Sequence, residues 1–192
     1  MLLYRVRSIE EYSKENFTKE GQELPPPLRE YAEMAKEGVP RARRLAAMKI
    51  LAELLAHARV RPAPIEVGKY GKPDFASGGY HFSISHTKQL CAVALSDRYV
   101  GIDMEEVFTV VPPERIARLS SRFFPEERQL IAESSHPSQT FLEIWVKKEA
   151  IVKRTGRGLA DLPYANTVKH RPRIFERTGS MMDLTRAFLA IY

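Results

Sequence analysis

Residues 101–105, Gly-Ile-Asp-Met-Glu, are the stretch on which the fold prediction depends. The preceding run, Val100-Gly101-Ile102, is apolar and predicts a buried strand, but the strand ends on two acids, Asp103 and Glu105. Because alternate residues of a strand point to the same face, the two carboxylates are expected side by side. Carboxylates held that close repel each other unless a positive charge lies between them. The stretch therefore predicts either a site for a hard divalent cation or a strand that runs into a solvated acidic turn.

A second constellation lies on a helix predicted over residues 137–154. Trp145, Glu149 and Lys153 are spaced i, i+4 and i+8 and so share one face, with Lys148 beside them. On its own, a Glu–Lys pair of this kind is an ordinary helix pair worth about 0.2–0.5 kcal/mol. Next to an acidic strand, however, the same helix would supply a third carboxylate and ammonium groups for phosphate.

The remaining pattern predicts two halves, each with a helix followed by strands. Helices are predicted at residues 41–58, 112–119 and 125–132, and strands at 1–10, 81–85, 90–95 and 99–103. A hairpin is predicted over residues 167–176 and 184–192, with its turn at Thr178-Gly179-Ser180. The join between the halves is expected near residues 107–113.

Composition is that of an ordinary globular protein. The chain has 192 residues, of which 44% are hydrophobic and 28% charged. Its one cysteine, Cys91, excludes an intramolecular disulfide, and its apolar stretches are shorter than the roughly 20 residues that span a bilayer. We therefore expect a cytoplasmic protein. The net charge of +6 is uneven, because an acidic segment at 101–143 lies between basic segments at 41–61 and 147–177. This indicates either solvated helix faces or a site for a polyanion.

Two weaker motifs precede the acidic strand. Ser85 and His86 end a predicted strand in Phe-Ser-Ile-Ser-His-Thr (82–87), and Lys72 lies in the turn Gly71-Lys72-Pro73. In the order GKP, SISH, GIDME, FFPEE and WVKKEAIVK, these motifs resemble the 4′-phosphopantetheinyl transferases of the Sfp-type subfamily. The resemblance extends from about residue 41 to residue 161, and GIDxE with W-x-x-KE-x-x-x-K is its most specific part.

The resemblance implies an α+β fold built as a pseudo-dimer of two similar halves, each an antiparallel sheet packed on a long helix. Residues 1–106 would form the half that binds the coenzyme A nucleotide. Residues 107–192 would carry the metal-binding helix and the base, and the two halves together would make one compact, monomeric unit with an internal pseudo-twofold axis.

The resemblance also implies an activity of the holo-[acyl-carrier-protein] synthase type. Such enzymes transfer 4′-phosphopantetheine from coenzyme A to a serine of an apo acyl or peptidyl carrier protein and release 3′,5′-ADP. The cofactor would be Mg²⁺, with Mn²⁺ as a substitute, and neither nucleic acid nor membrane would be a partner. The sequence does not identify the pathway, whether fatty-acid, polyketide or nonribosomal peptide biosynthesis.

By similarity, the Mg²⁺ ligands would be Asp103, Glu105 and Glu149. Lys153 would contact the phosphate and stabilise or protonate the leaving oxygen. The residues expected to bind coenzyme A are Arg43, Lys72, Ser85, His86, Lys148 and Lys153, with Lys148 as a partner of either a phosphate or a carboxylate. The chain departs from the family at Val146, where a small hydroxyl or thiol residue is usual.

The base for the carrier serine would be a glutamate shortly after Phe123-Phe124. Glu127 is the first choice and its neighbour Glu126 the second, because the spacer from the phenylalanine pair differs in length from the family pattern. Residues i+3 and i+4 from Glu127 are apolar, so Glu127 is predicted on the buried side of its helix and Glu126 towards solvent.

Two other functions compete with this interpretation. The sequence pI near 9.5 is compatible with a basic nucleic-acid-binding module, although the sequence contains no zinc spacing and no recognisable nucleic-acid motif. Another Mg²⁺-dependent phosphoryl transferase is the second alternative, and it lacks a glycine-rich phosphate loop.

Overall fold

The structure is a computed structural model that describes residues 1–9, 24–107, 110–178 and 186–192. It has a mixed α+β fold, as predicted, with helices and small antiparallel sheets. The contacts within it define two compact units, Met1–Val100 and Gly101–Tyr192. Within the described ranges, no helix is both long and apolar enough to cross a membrane.

The first unit contains two helices and two sheets. Its elements are β1 (Leu2–Ser8), α1 (Pro26–Glu33), α2 (Val39–Ala58), β2 (Ile65–Val67), β3 (Pro73–Phe75), β4 (His81–His86) and β5 (Leu90–Ser96). Strand β5 pairs antiparallel with β1 on one side and β4 on the other, and β2 pairs with β3. Because β5 is the central strand, it needs apolar residues on both faces, which accounts for its continuous apolar sequence.

Helix α2 supplies much of the core of the first unit, as its periodic pattern predicted. Its residues Leu45, Met48 and Leu51 are buried in one cluster with Phe82 of β4 and Val93 of β5. Burying a large apolar side chain stabilises a fold by about 1.5–3 kcal/mol, so each of these residues contributes on that scale.

The second unit contains one sheet and several helices. Its elements are β6 (Ile102–Glu106), α3 (Pro113–Ser120), α4 (Pro125–Glu133), α5 (Pro137–Thr155), a 3₁₀ helix (Gly158–Tyr164), α6 (Thr167–His170), β7 (Arg173–Thr178) and β8 (Arg186–Ile191). The strand order is β6-β8-β7, and both pairings are antiparallel. Helix α5 ends at Gly156 with φ of 69°, and its buried apolar residues share a core cluster with Phe123 and Ala190.

Some of the predicted elements were wrong. Helix α1 was not predicted; it begins at Pro26, because proline is tolerated in the first turn, where its missing N–H has no partner to lose. Residues 167–176 are not one strand. The Asn166 side chain accepts a hydrogen bond from the Lys169 N–H and caps the short helix α6, and β7 begins only at Arg173. The predicted turn at Thr178-Gly179-Ser180 lies mostly outside the described residues.

Strand β6 is displaced along the chain from its prediction. It runs from Ile102 to Glu106, so both acids lie within the strand and not at its end. Because β6 pairs with β8, its contacts belong to the second unit, and the contact boundary falls between Val100 and Gly101. The boundary predicted between residues 106 and 107 stays a prediction, and so does the pseudo-dimer.

Candidate active site

Strand β6 begins in direct backbone contact with helix α5, and Gly101 makes this approach possible. A Cβ atom placed on Gly101 would lie 1.9 Å from the Ala150 carbonyl oxygen and 2.5 Å from the Arg154 backbone nitrogen. Gly101 also exchanges two backbone hydrogen bonds with Tyr192, at 2.7 and 2.9 Å. The glycine therefore sets how closely the acidic strand approaches the helix that carries Glu149 and Lys153.

The acidic strand and the helix meet through an ion pair. The Lys153 Nζ donates a hydrogen bond to Asp103 Oδ1 at 2.6 Å. Asp103 is only 5% exposed, and burying a charge is costly unless it is paired, as it is here with Lys153. Glu105 lies two residues further along the same strand, so its side chain leaves from the same face as that of Asp103.

The electrostatics show that three carboxylates lie close together here. Burial, together with the charges of Asp103 and Glu105 and against the opposing effect of Lys153, raises the pKa of Glu149 to about 7. Burial likewise raises the pKa of Glu105, with the Asp103 charge adding to the effect. Burial first, and then the other acids nearby, therefore hold each of these glutamates less acidic than usual.

The chemistry of this donor set fits a hard divalent cation. Three carboxylates and one ammonium group leave two negative charges when all are ionised, and Mg²⁺ prefers carboxylate oxygens. A bound cation would also favour the ionised form of Glu149 and Glu105. The side chains are not already gathered around a metal position, however. In the part of the chain that the structure describes, no group of three or more His, Cys, Asp or Glu residues could hold a metal ion as arranged.

The other charged residues of the motif form a separate, fully buried pair. Lys148 Nζ lies 2.6 Å from Glu127 Oε2, and both side chains are 0% exposed. Glu127 Oε2 also accepts the backbone N–H of Phe124, while Oε1 accepts the backbone N–H and the hydroxyl of Thr167. Lys148 additionally donates to the Ala165 carbonyl oxygen at 2.6 Å.

The structure tests the burial predicted for Glu127 and the exposure predicted for Glu126. The predicted burial of Glu127 and exposure of Glu126 are confirmed, and Glu126 accepts a hydrogen bond from Asn166 Nδ2 at 2.8 Å. Lys148 and Lys153 differ by about 140° around the axis of α5, so the buried pair and the Asp103–Lys153 pair lie on different sides of that helix.

The residues predicted to bind the coenzyme A nucleotide all lie in the first unit. Arg43 is half-buried on α2, Ser85 is buried near the end of β4, and His86 is exposed as the last residue of that strand. Lys72 Nζ donates a hydrogen bond to the Val100 carbonyl oxygen at 3.1 Å. Their roles stay predictions.

Sequence reasoning missed two residues that organise the second unit. Gly101 was read only as part of an apolar strand, although a glycine inside a strand often marks a close backbone approach. Thr167 was placed in a strand, and no local signal connects it with Glu127, which lies 40 residues earlier.

Comparisons with known proteins agree with the motifs. Residues 99–179 match the family model of the 4′-phosphopantetheinyl transferase superfamily. The chain is 33% identical over 105 residues to the 4′-phosphopantetheinyl transferase of Bacillus subtilis, an alignment that covers 52% of this chain and 45% of that protein. It is 37% identical over 140 residues to the 4′-phosphopantetheinyl transferase AcpT of Escherichia coli strain K12, covering 69% of this chain and 66% of the relative.

A third relative is the AcpT protein of Salmonella typhimurium, 35% identical over 128 residues, with 64% of this chain and 62% of the relative aligned. The chain thus spans less than two thirds of the length of these curated relatives. The matched segment nevertheless contains the acidic strand, the buried pair and the helix with Glu149 and Lys153. Over residues 99–179 the chain is similar to the 4′-phosphopantetheinyl transferase superfamily.

Proposed function

We propose that this protein transfers 4′-phosphopantetheine from coenzyme A to a serine of an apo carrier protein and releases 3′,5′-ADP. The observation that carries the proposal is the cluster of Asp103, Glu105 and Glu149 around Lys153, within the segment that matches the family model. Three proteins similar to this chain are named 4′-phosphopantetheinyl transferases.

We propose that Asp103, Glu105 and Glu149 hold a divalent cation, Mg²⁺ or, as a substitute, Mn²⁺. When bound, such an ion supplies charge neutralisation for the pyrophosphate of coenzyme A. The protein contributes the fixed direction of the carboxylates, because Asp103 and Glu105 belong to a paired strand and Glu149 to a helix in backbone contact with it.

Lys153 is proposed to act on the phosphate and the leaving oxygen. Its ammonium group already lies in the cluster, 2.6 Å from Asp103. A cation that contacts the phosphate as charge develops on the leaving oxygen stabilises the transition state more than the bound substrate. Its contribution should therefore be larger in kcat than in coenzyme A affinity.

The first unit is proposed to bind the nucleotide end of coenzyme A through Arg43, Lys72, Ser85 and His86. We further propose that residues 1–106 and 107–192 form the two halves of a monomeric pseudo-dimer, each with a long helix packed on an antiparallel sheet. The cytoplasmic location predicted from the sequence belongs to the same proposal.

The proposal is tested by mass spectrometry of intact carrier proteins. The full chain is incubated with coenzyme A, Mg²⁺ and a panel of apo acyl and peptidyl carriers, and a mass gain of one phosphopantetheine is expected on at least one of them. The matched controls are the same carrier with its acceptor serine changed to alanine, and a reaction with a chelator in place of Mg²⁺. If no carrier gains mass while the chain binds duplex DNA, the nucleic-acid interpretation replaces this one.

A further inference from the structure

The buried pair of Glu127 and Lys148 leads to a different assignment for the glutamate that the sequence named as the base. We propose that Glu127 is a positioning residue, which fixes helix α5 through Lys148, and that it is not the general base of the transfer. This inference rests on the proposed function for the reaction that it concerns. The structural part of it, the coupling of the two residues, holds independently of that function.

The hydrogen bonds of Glu127 leave its carboxylate no free acceptor position. An ionised carboxylate offers about four lone-pair sites on its two oxygens. Oε1 receives the backbone N–H and the hydroxyl of Thr167, at 2.8 and 2.7 Å. Oε2 receives the Phe124 N–H at 3.0 Å and Lys148 Nζ at 2.6 Å. A base must reach the proton that it removes, and here it would first have to give up one of these bonds.

The ammonium group of Lys148 is also held by partners inside the protein. One of its three N–H groups serves Glu127 and a second serves the Ala165 carbonyl oxygen. Its nitrogen also lies 4.6 Å from the ring centre of Phe123 and 5.1 Å from that of Phe124, an arrangement in which aromatic faces stabilise a cation. An ammonium group surrounded in this way faces the interior, so we infer that Lys148 does not bind the phosphate of a substrate.

The pair links three segments of the second unit. Glu127 lies in the first turn of α4, Lys148 lies in α5, and Ala165 and Thr167 belong to the segment that enters α6. Lys148 directly precedes Glu149, one of the proposed metal ligands. A buried ion pair contributes little net stability, whereas removing one partner leaves an uncompensated buried charge. Loss of Glu127 should therefore shift α5 and, with it, the carboxylate of Glu149.

A double-mutant cycle distinguishes a positioning residue from a base. The variants are Glu127→Gln, Lys148→Met and the two combined, all in the full chain. Each single variant should lower the Tm measured without metal, because one charge of the buried pair loses its partner. Glu127→Gln leaves the Lys148 ammonium unpaired, and Lys148→Met leaves the Glu127 carboxylate unpaired. The double variant removes both charges. We expect it to regain most of the lost Tm and to transfer phosphopantetheine within about tenfold of the wild-type kcat.

A general base predicts a different result for the double variant. Removing a base costs on the order of 10²–10⁴ in rate, and a second change at Lys148 cannot restore it. A double variant that regains its Tm but stays as slow as Glu127→Gln would overturn the proposal. If the wild-type chain transfers nothing to any carrier, the proposed function fails, and the Tm values still decide whether Glu127 and Lys148 are coupled.

The metal dependence separates positioning from simple stabilisation of the fold. At a temperature well below its Tm, Glu127→Gln should need at least about threefold more Mg²⁺ than wild type for half-maximal rate, since Glu149 is displaced. A lower Tm with an unchanged Mg²⁺ requirement would mean that the pair only stabilises the fold, and it would contradict the positioning role.

If Glu127→Gln does not fold, Thr167→Val provides a second test of the positioning role. It removes one hydrogen bond from Oε1 and keeps the carboxylate. Positioning predicts a lower Tm and a higher Mg²⁺ requirement. A base predicts an unchanged or faster rate, because one of its acceptor sites has been freed.

Discussion

Replacing Gly101 by alanine should separate strand β6 from helix α5 and disrupt the carboxylate cluster. The added methyl group would overlap backbone atoms, with the Ala150 carbonyl oxygen at 1.9 Å and the Arg154 nitrogen at 2.5 Å. Backbone atoms inside a helix cannot rotate away as the end of a flexible side chain can. The strand and the helix must therefore move apart for the variant to fold.

The size of the movement follows from the same distances. Ordinary van der Waals contact of a Cβ atom begins near 3.4 Å, so the contact with the Ala150 oxygen requires a shift of about 1.5 Å. Overpacking of this kind costs about 1–3 kcal/mol in folding free energy. Misplacing reacting groups by about 1 Å can cost 10² in rate, so transfer should fall at least that far. Because Asp103 and Lys153 sit on the two separating elements, their ion pair should lengthen as well.

The assay combines chemical unfolding with the transfer reaction. Gly68→Ala is a matched control, since a Cβ atom there meets only the Lys72 carbonyl oxygen at 3.5 Å, and it should change the free energy of unfolding by less than about 1 kcal/mol. If Gly101→Ala unfolds like wild type and retains more than a tenth of its rate, the close approach is not required and the reasoning about Gly101 is wrong.

Three further predictions concern the cluster itself. Asp103→Asn should abolish transfer at millimolar Mg²⁺ while circular dichroism stays near wild type, and normal turnover would remove Asp103 from the metal site. Lys153→Ala should lower kcat much more than it weakens coenzyme A binding, whereas an effect confined to KM would indicate simple phosphate binding. Without divalent cations, Glu149 has a pKa of about 7 in the folded protein against 4.5 ordinarily, so folding favours its protonated form. Its contribution to stability is complete below pH 4.5 and is lost as the pH rises through 7. Glu149→Gln should therefore be more stable than wild type above pH 7, by up to about 3 kcal/mol, when both are unfolded by urea in chelator. Equal pH dependence of the two proteins would contradict this.

Local pattern was enough to predict most of the elements. Helix α2 follows from apolar residues at helical spacing, and the continuous apolar run of β5 follows from its central place in the sheet. The short helix α6 was missed because four residues carry too little periodicity, and its cap, Asn166, directly precedes the residues predicted as a strand. Tertiary contacts, not local preference, determined the secondary structure of residues 166–170.

The surroundings of charged residues could not be predicted in the same way. Lys148 is buried because Glu127, Ala165 and the rings of Phe123 and Phe124 close around it, and these residues lie 17 to 25 positions away in the chain. A sequence pattern shows which residue types follow one another. It does not show whether the groups that neutralise a charge come from solvent, from a substrate or from another helix.

Helix geometry nevertheless explains why the two lysines of the motif Trp-Val-Lys-Lys-Glu-Ala-Ile-Val-Lys have different surroundings. Successive residues of an α-helix are about 100° apart, so Lys148 and Lys153 differ by about 140° around the axis, whereas Glu149 and Lys153 differ by only about 40°. Lys153 therefore shares the face of Glu149 and reaches Asp103, while Lys148 points towards α4 and its glutamate. On this argument the motif combines two separate requirements, a charged face for the reaction and a buried pair that holds the helix. Substitutions at Lys148 and Lys153 should accordingly differ in degree: the first, in a pair that is 0% exposed, should lose Tm together with rate, and the second, whose side chain is 30% exposed, should lose more rate than Tm.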